Sequence, residues 1–164
     1  MTVAKRSFLV GMHSPLWHTA TVVVGWVKLF QRLPSLKEFV CILFHDIGYL
    51  CQSSIDGEDN RHPELGARMC GVLFGRGFFN LCICHSRDYA NRFGLPLSKL
   101  GYADKYSVLV YPNCVFEWLI KFGGEANEYH NTTTTRKWGY PIRVELIKAD
   151  YARWVSQNTC REMS

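Results

Sequence analysis

A chain of 164 residues with 48% hydrophobic, 14% aromatic and 20% charged residues can bury one core and is too short for two, which excludes a disordered, fibrous or multidomain reading. Its formal charge of +5 is spread along the chain without a basic run, so no stable nucleic-acid partner is expected, although an anionic small molecule would be attracted. No apolar span approaches the about 18 residues of a membrane helix, because Val108 to Ile120 contains Pro112, Asn113 and Glu117, and the Met1–Arg6 start lacks a signal-peptide pattern; a cytoplasmic protein with no membrane partner is expected.

In chain order, Ser14 and Pro15 read as an N-cap and first helical position, opening a helix from about Leu16 to Arg32 with His18 near its start and Leu16, Val23, Val27 and Phe30 as its buried stripe. Pro34 breaks the chain, and Ser35 with Glu38 predicts a capping box for an apolar helix that carries His45 and Asp46 and stops at Gly48. Residues 51–61 are polar and turn-rich, as in a surface loop. His62-Pro63-Glu64 begins a further helix that runs to Gly75, and Phe78 to about Arg92 reads as one helix, apolar to Cys84 and polar after His85. Pro96 and Ser98 open a helix in which Leu97, Leu100, Tyr106 and Leu109 form the stripe and Asp104 interrupts it, with Pro112 at its end. Val115 to Phe122 predicts a short helix stopped by Gly123-Gly124, Asn131–Thr135 a loop, and Ile142 to Gln157 a last amphipathic helix. The expected architecture is an all-α, single-domain helical bundle.

The seven cysteines (Cys41, Cys51, Cys70, Cys82, Cys84, Cys114 and Cys160) are odd in number, and Cys41, Cys70, Cys82 and Cys84 fall within apolar runs, the usage of a reducing compartment. The Cys82-Ile83-Cys84 spacing fits neither a zinc knuckle nor a redox motif and reads as core packing.

Individually, the polar residues inside apolar runs are ordinary. Jointly, His18, His45-Asp46, His62, His85 and Asp104 come from five consecutive helical units, each at a helix end or a break in an apolar stripe. A buried imidazole beside a carboxylate is costly unless paired, and a divalent metal pairs with both. The order resembles the HD superfamily of metal-dependent phosphohydrolases, whose signature is His, then His-Asp, then a distal Asp. Phe44-His45-Asp46-Ile47-Gly48 is similar to its central motif and Trp17-His18-Thr19 to its opening histidine. His62-Pro63-Glu64-Leu65-Gly66-Ala67, His85-Ser86 and Leu100-Gly101-Tyr102-Ala103-Asp104-Lys105 are similar to the further elements of the two-metal subset. The His85 to Asp104 spacing resembles that of bacterial HD enzymes that hydrolyse dinucleoside tetraphosphates. The resemblance covers about residues 13–112, leaving 113–164 as a C-terminal extension.

The resemblance implies His18, His45, Asp46 and Asp104 around one cation, and Asp46 bridging to a second held by His62 and His85. The donor set suits one or two divalent transition-metal ions (Mn, Fe, Co, Ni or Zn) better than Mg or Ca. Asp46, His62 and His85 would then carry the hydrolysis of a phosphoanhydride or phosphodiester bond in a nucleotide, whether dinucleotide, cyclic signalling nucleotide or nucleoside triphosphate, by metal-activated water. If only the first site fills, Asp88 or Glu64 is a weak candidate for acid or base. Many relatives carry lysine directly after Ile-Gly; here that residue is Tyr49, so Arg61, Arg87, Lys99 and Lys105 become the candidate phosphate contacts. His13 reads as substrate-facing or structural, and His130 as a surface residue. A di-iron oxygenase and a non-catalytic nucleotide-binding module are the alternatives, and homo-oligomerisation stays open.

Overall fold

Eight α-helices and one 3₁₀ turn, further helical residues at 148, 149, 152, 153 and 155–157, and no strand are found among the described residues of the computed structural model, which are 2–53, 61–124, 148, 149, 152, 153 and 155–157. The helices are α1 (Val3–Val10), α2 (Pro15–Phe30), α3 (Leu36–Phe44), α4 (His62–Phe74), α5 (Arg76–Ile83), α6 (Arg87–Arg92), α7 (Lys99–Val110) and α8 (Asn113–Gly123), and the 3₁₀ turn Ile47–Cys51 follows α3. The all-α architecture expected from the periodicity is therefore the observed one, in a single compact domain among these residues. None of the described helices is long and apolar enough to cross a membrane.

Local chemistry sets most of the helix starts. Pro15 occupies the first turn of α2 and Pro63 that of α4, where a missing N–H costs nothing. The Ser35–Glu38 capping box is formed in both directions, with the Glu38 N–H donating to Ser35 Oγ and the Ser35 N–H donating to Glu38 Oε2. Arg32 clamps the same carboxylate through both guanidinium nitrogens at 2.6 and 2.7 Å. This pair holds the Glu38 carboxyl down to about 2, through the Arg32 hydrogen bonds in the first place. Ser98 caps α7 by accepting from the Gly101 N–H, while its hydroxyl donates to the Leu81 carbonyl and its N–H to that of Cys84. The start of α7 is thereby tied to the end of α5.

The main core gathers Val22 and Trp26 of α2, Cys41 and Ile42 of α3, Ala67 and Cys70 of α4, Cys82 and Ile83 of α5, and Leu100 and Ala103 of α7. A second cluster joins Met12, Val108 and Tyr111 to Phe116, Leu119 and Ile120 of α8. A third sets Ala4 and Phe8 of α1 on Tyr49 of the 3₁₀ turn.

Several expectations are corrected. The basic start folds as α1, whose buried residues Ala4, Ser7 and Phe8 are mostly small and make a faint stripe. The buried face of α2 is His18, Thr19, Val22, Gly25 and Trp26, and Leu16 is 72% exposed. Likewise the buried face of α7 includes Leu100, Ala103, Asp104, Ser107 and Val108, so Asp104 belongs to that face and does not interrupt it. In both helices a polar residue that looks inward shifts the true face from the one drawn by apolar residues alone.

The α-helix that precedes the His-Asp pair ends at Phe44, and Gly48 lies within the 3₁₀ turn instead of stopping the helix. The run from Phe78 to Arg92 is two helices, because the chain leaves α5 at Cys84 and restarts at Ser86 as the N-cap of α6, with Asp88 in its first turn. Of the remaining expectations, most of the 51–61 loop, the Asn131–Thr135 loop, His130 and much of Ile142–Gln157 lie outside the described residues.

Candidate metal centre

His45 caps α3 with helical backbone, and Asp46 follows at φ −100°, ψ 4°, the sparsely occupied bridge conformation common at functional turns. That turn directs the Asp46 carboxylate to the centre of four imidazoles. Asp46 Oδ2 lies 3.4 Å from His18 Nε2 and 3.3 Å from His45 Nε2, while Oδ1 lies 3.6 Å from His62 Nε2 and 3.4 Å from His85 Nε2. The imidazoles pair in the same way, with His18 and His45 Nε2 atoms 3.2 Å apart and those of His62 and His85 3.1 Å apart. Asp104 closes the first pair from α7, its Oδ1 3.1 Å from His18 Nε2. All six side chains are buried.

The hydrogen bonds on the far sides of the rings determine what faces inward. His45 Nδ1 donates to the Ile42 carbonyl at 2.7 Å, and His85 Nδ1 donates to that of Cys82. A carbonyl only accepts, so each Nδ1 carries a proton and the neutral ring presents its Nε2 lone pair to the cluster. Two lone pairs about 3 Å apart repel unless a proton or a cation lies between them. His62 and His85 with Asp46, and His18 and His45 with Asp46, therefore form two groups able to hold a metal ion that share one carboxylate. With neutral imidazoles the six ligands carry two negative charges, which suits divalent ions in a buried site.

Electrostatics point the same way. Burial is the largest influence on the Asp46 carboxyl and pushes its pKa up, but the His45 charge and the hydrogen bonds of His18, His45 and His85 outweigh it, leaving Asp46 well below the usual carboxylate range. Asp104 is held just as low against its burial, by Lys105 first and then His18. Burial pulls His45 and His62 below the ordinary imidazole value despite Asp46. His18 is also lowered by burial, yet hydrogen bonds to Asp104 and Asp46 more than reverse this and raise it.

Backbones carrying ligands come together where glycine leaves room. A Cβ on Gly48 would sit 2.1 Å from the His62 carbonyl oxygen, one on Gly66 2.2 Å from that of Phe44, and one on Gly101 2.8 Å from that of His85. These three contacts join the 3₁₀ turn to α4, α4 to the end of α3, and α7 to the His85 turn. The sequence places Gly48, Gly66 and Gly101 within the family-like motifs, and the structure supplies their purpose.

All six residues expected as ligands are thus gathered at one point. The proposed cations divide: Lys105 Nζ donates to Asp104 Oδ2 at 2.8 Å, whereas Lys99 lies over the Phe30 ring, at the end of α2 opposite His18. Arg61 precedes His62 as the N-cap of α4 and Arg87 opens α6, both exposed. Of the candidate acids, Glu64 accepts from the Tyr89 hydroxyl at 2.7 Å and Asp88 pairs with Arg92 at 2.9 Å.

Two residues gain a place that the sequence left open. Tyr49 is buried and stacks on the His62 ring at 4.4 Å with the planes 6° apart. His13 accepts or donates at Nδ1 with Ser7 Oγ, 2.7 Å away, and its ring lies 4.7 Å from that of Tyr49 and 5.6 Å from that of His18. Neither position carries a spacing signal, since both reach the site through α1 and the 3₁₀ turn.

Fold and site define an all-helical protein with a buried histidine–aspartate cluster able to hold metal and compatible with an HD-like site. Among known proteins the chain matches no family model, no curated protein and no solved structure.

Proposed function

We propose that the chain is a metal-dependent phosphohydrolase of the HD type, acting on a phosphoanhydride or phosphodiester bond of a nucleotide. The observation that carries this reading is the division of the Asp46 carboxylate, one oxygen toward His18 and His45 and the other toward His62 and His85. His18, His45, Asp46 and Asp104 would hold one cation, and Asp46, His62 and His85 a second. Ions bound there would supply Lewis acidity toward phosphoryl oxygens and make water more acidic.

The chain's own groups orient and neutralise. The Ile42 and Cys82 carbonyls fix the tautomers of His45 and His85. Tyr49 holds the plane of His62 by stacking. Lys105 keeps Asp104 ionised and places an ammonium beside the cluster, where it can meet a phosphoryl oxygen.

The test is a screen of dinucleotides, cyclic nucleotides and nucleoside triphosphates with Mn, Co, Ni or Fe added, run beside Asp46→Ala. Metal-dependent hydrolysis that disappears in the variant is expected; equal hydrolysis by both proteins would refute the assignment. Oxygen consumption by the iron form without hydrolysis would replace this reading with an oxygenase. Protein that neither binds metal nor turns over any substrate would be a regulatory module.

A further inference from the structure

A second cluster of potential ligands lies in the same helices, outside the histidine–aspartate centre. Cys41 of α3, Cys70 of α4 and Cys82 of α5 are fully buried, and their sulfurs all lie within 4.8 Å of one another. No two of the three are close in sequence, so the Cys82-Ile83-Cys84 pair is not what forms the group. Cys84 is buried as core packing, as expected from its spacing, while Cys82 faces the two other thiols.

We propose that these three sulfurs form a binding site for a thiophilic d10 cation. Bonds of about 2.3 Å from such an ion to three sulfurs hold the sulfurs roughly 4 Å apart, close to the spacing already present. Three soft donors, with apolar Ile42, Ala67 and Ile83 among their core neighbours, select against Mg, Ca and Mn and in favour of ions such as Cd(II), Zn(II) or Cu(I). The Cys41 carbonyl oxygen lies 3.9 Å from Cys82 Sγ. Binding exchanges up to three thiol protons for one cation, which leave to solvent; no electron is transferred.

The neighbouring thiols support the first step. Hydrogen bonds from Cys41 and then Cys82 hold the Cys70 thiol down to about 4, while Cys41 is pushed up to about 12. The site is also built into the frame of the first centre, since Cys41 precedes His45 by one helical turn and the Cys82 carbonyl accepts from His85 Nδ1. It nevertheless does not depend on the phosphohydrolase reading.

The decisive experiment expresses the full chain with Cd(II) in the medium, removes excess metal under reducing conditions, and records bound cadmium per chain, the ultraviolet thiolate-to-metal charge-transfer band and the cadmium NMR spectrum. A band and a strongly deshielded, sulfur-type resonance are expected in the unsubstituted protein. Both should persist in Asp46→Ala, which disables the histidine–aspartate centre, and in a Cys51→Ala/Cys114→Ala/Cys160→Ala triple variant. Cys70→Ala should lose the band and one equivalent of cadmium. Should Cys70→Ala fail to fold, the resonance of the unsubstituted protein decides alone. A spectrum with only nitrogen- and oxygen-type resonances, or a band retained at full strength in folded Cys70→Ala, would reduce the three thiols to core packing.

Discussion

The two ends of one helical frame make opposite use of burial. At the front, α3, α4 and the α5–α6 turn bring His45, Asp46, His62 and His85 together, charged or strongly polar groups whose desolvation is offset only by pairing and by carbonyl hydrogen bonds. Behind it, the same helices bring together Cys41, Cys70 and Cys82, small side chains that pack against one another in an apolar core. The difference teaches that the front cluster presents donors that a proton or a cation between them would stabilise, whereas the rear one packs as it stands. Substitutions at the front should therefore act on metal and on pH behaviour, and substitutions at the rear chiefly on packing.

The largest effect is expected from Asp46→Ala. It removes the carboxylate shared by both groups of ligands, so metal content measured after dialysis should fall to background and hydrolysis by at least about 100-fold. Gly48→Ala comes next, because its Cβ would lie 2.1 Å from the His62 carbonyl and only backbone movement relieves that. A loss on the order of 3 kcal/mol in chemical denaturation, with weakened metal binding at the His62 side, is the expected outcome. Gly75→Ala, where no atom lies within 4 Å of the added Cβ, gives a comparison limited to its left-handed φ of 92°.

Acid should separate the two ends without mutation. His45 and His62 have folded values below 6.5, so between those values and 6.5 the unfolded chain binds more protons, and the metal-free protein loses stability as pH falls through 6.5. His18, raised in the fold, opposes this with a smaller number of sites. Denaturant midpoints of the metal-free chain should decline between about pH 7 and pH 5, and His62→Gln should flatten that decline. Cys70→Ala should leave the pH response intact and cost about 1 kcal/mol of stability, read from the same midpoints. The smallest effect belongs to Glu38→Gln, remote from both clusters: roughly 0.5 kcal/mol at neutral pH. Because the Glu38 carboxyl is depressed to about 2, the contribution it makes is present above the ordinary carboxylate value and disappears as pH drops toward 2, so the variant and parent should converge in strong acid.

Caps and spacing made α3 and α4 legible, since Ser35 with Glu38 and His62 with Pro63 are signals complete within four residues. The pattern of six candidate residues was equally legible, and the structure brings all six into one buried cluster. The phases of α2 and α7 were not legible. The stripes drawn through Leu16, Val23, Val27 and Phe30 and through Leu97, Leu100, Tyr106 and Leu109 leave out His18, Thr19, Asp104 and Ser107, yet each of these lies on the buried face. Hydrophobic periodicity fails where the interior itself is polar, which is where a site is built. The thiol group was beyond reach for another reason: its members are 29 and 12 residues apart by number, and only the packing of three helices brings them together. Lys99 and Lys105 look alike in sequence, but six positions along α7 put one over Phe30 and the other on Asp104.

The seating of α1 bears on how the chain folds. Ala4 and Phe8 pack on Tyr49, the ring that stacks on His62, and the helix also lies against α8. The helix α1 thus has partners some 40 and 110 residues further along the chain, and contacts of such separation form slowly. The helix is thereby among the last pieces to dock, and the backing of His62 is finished only with it.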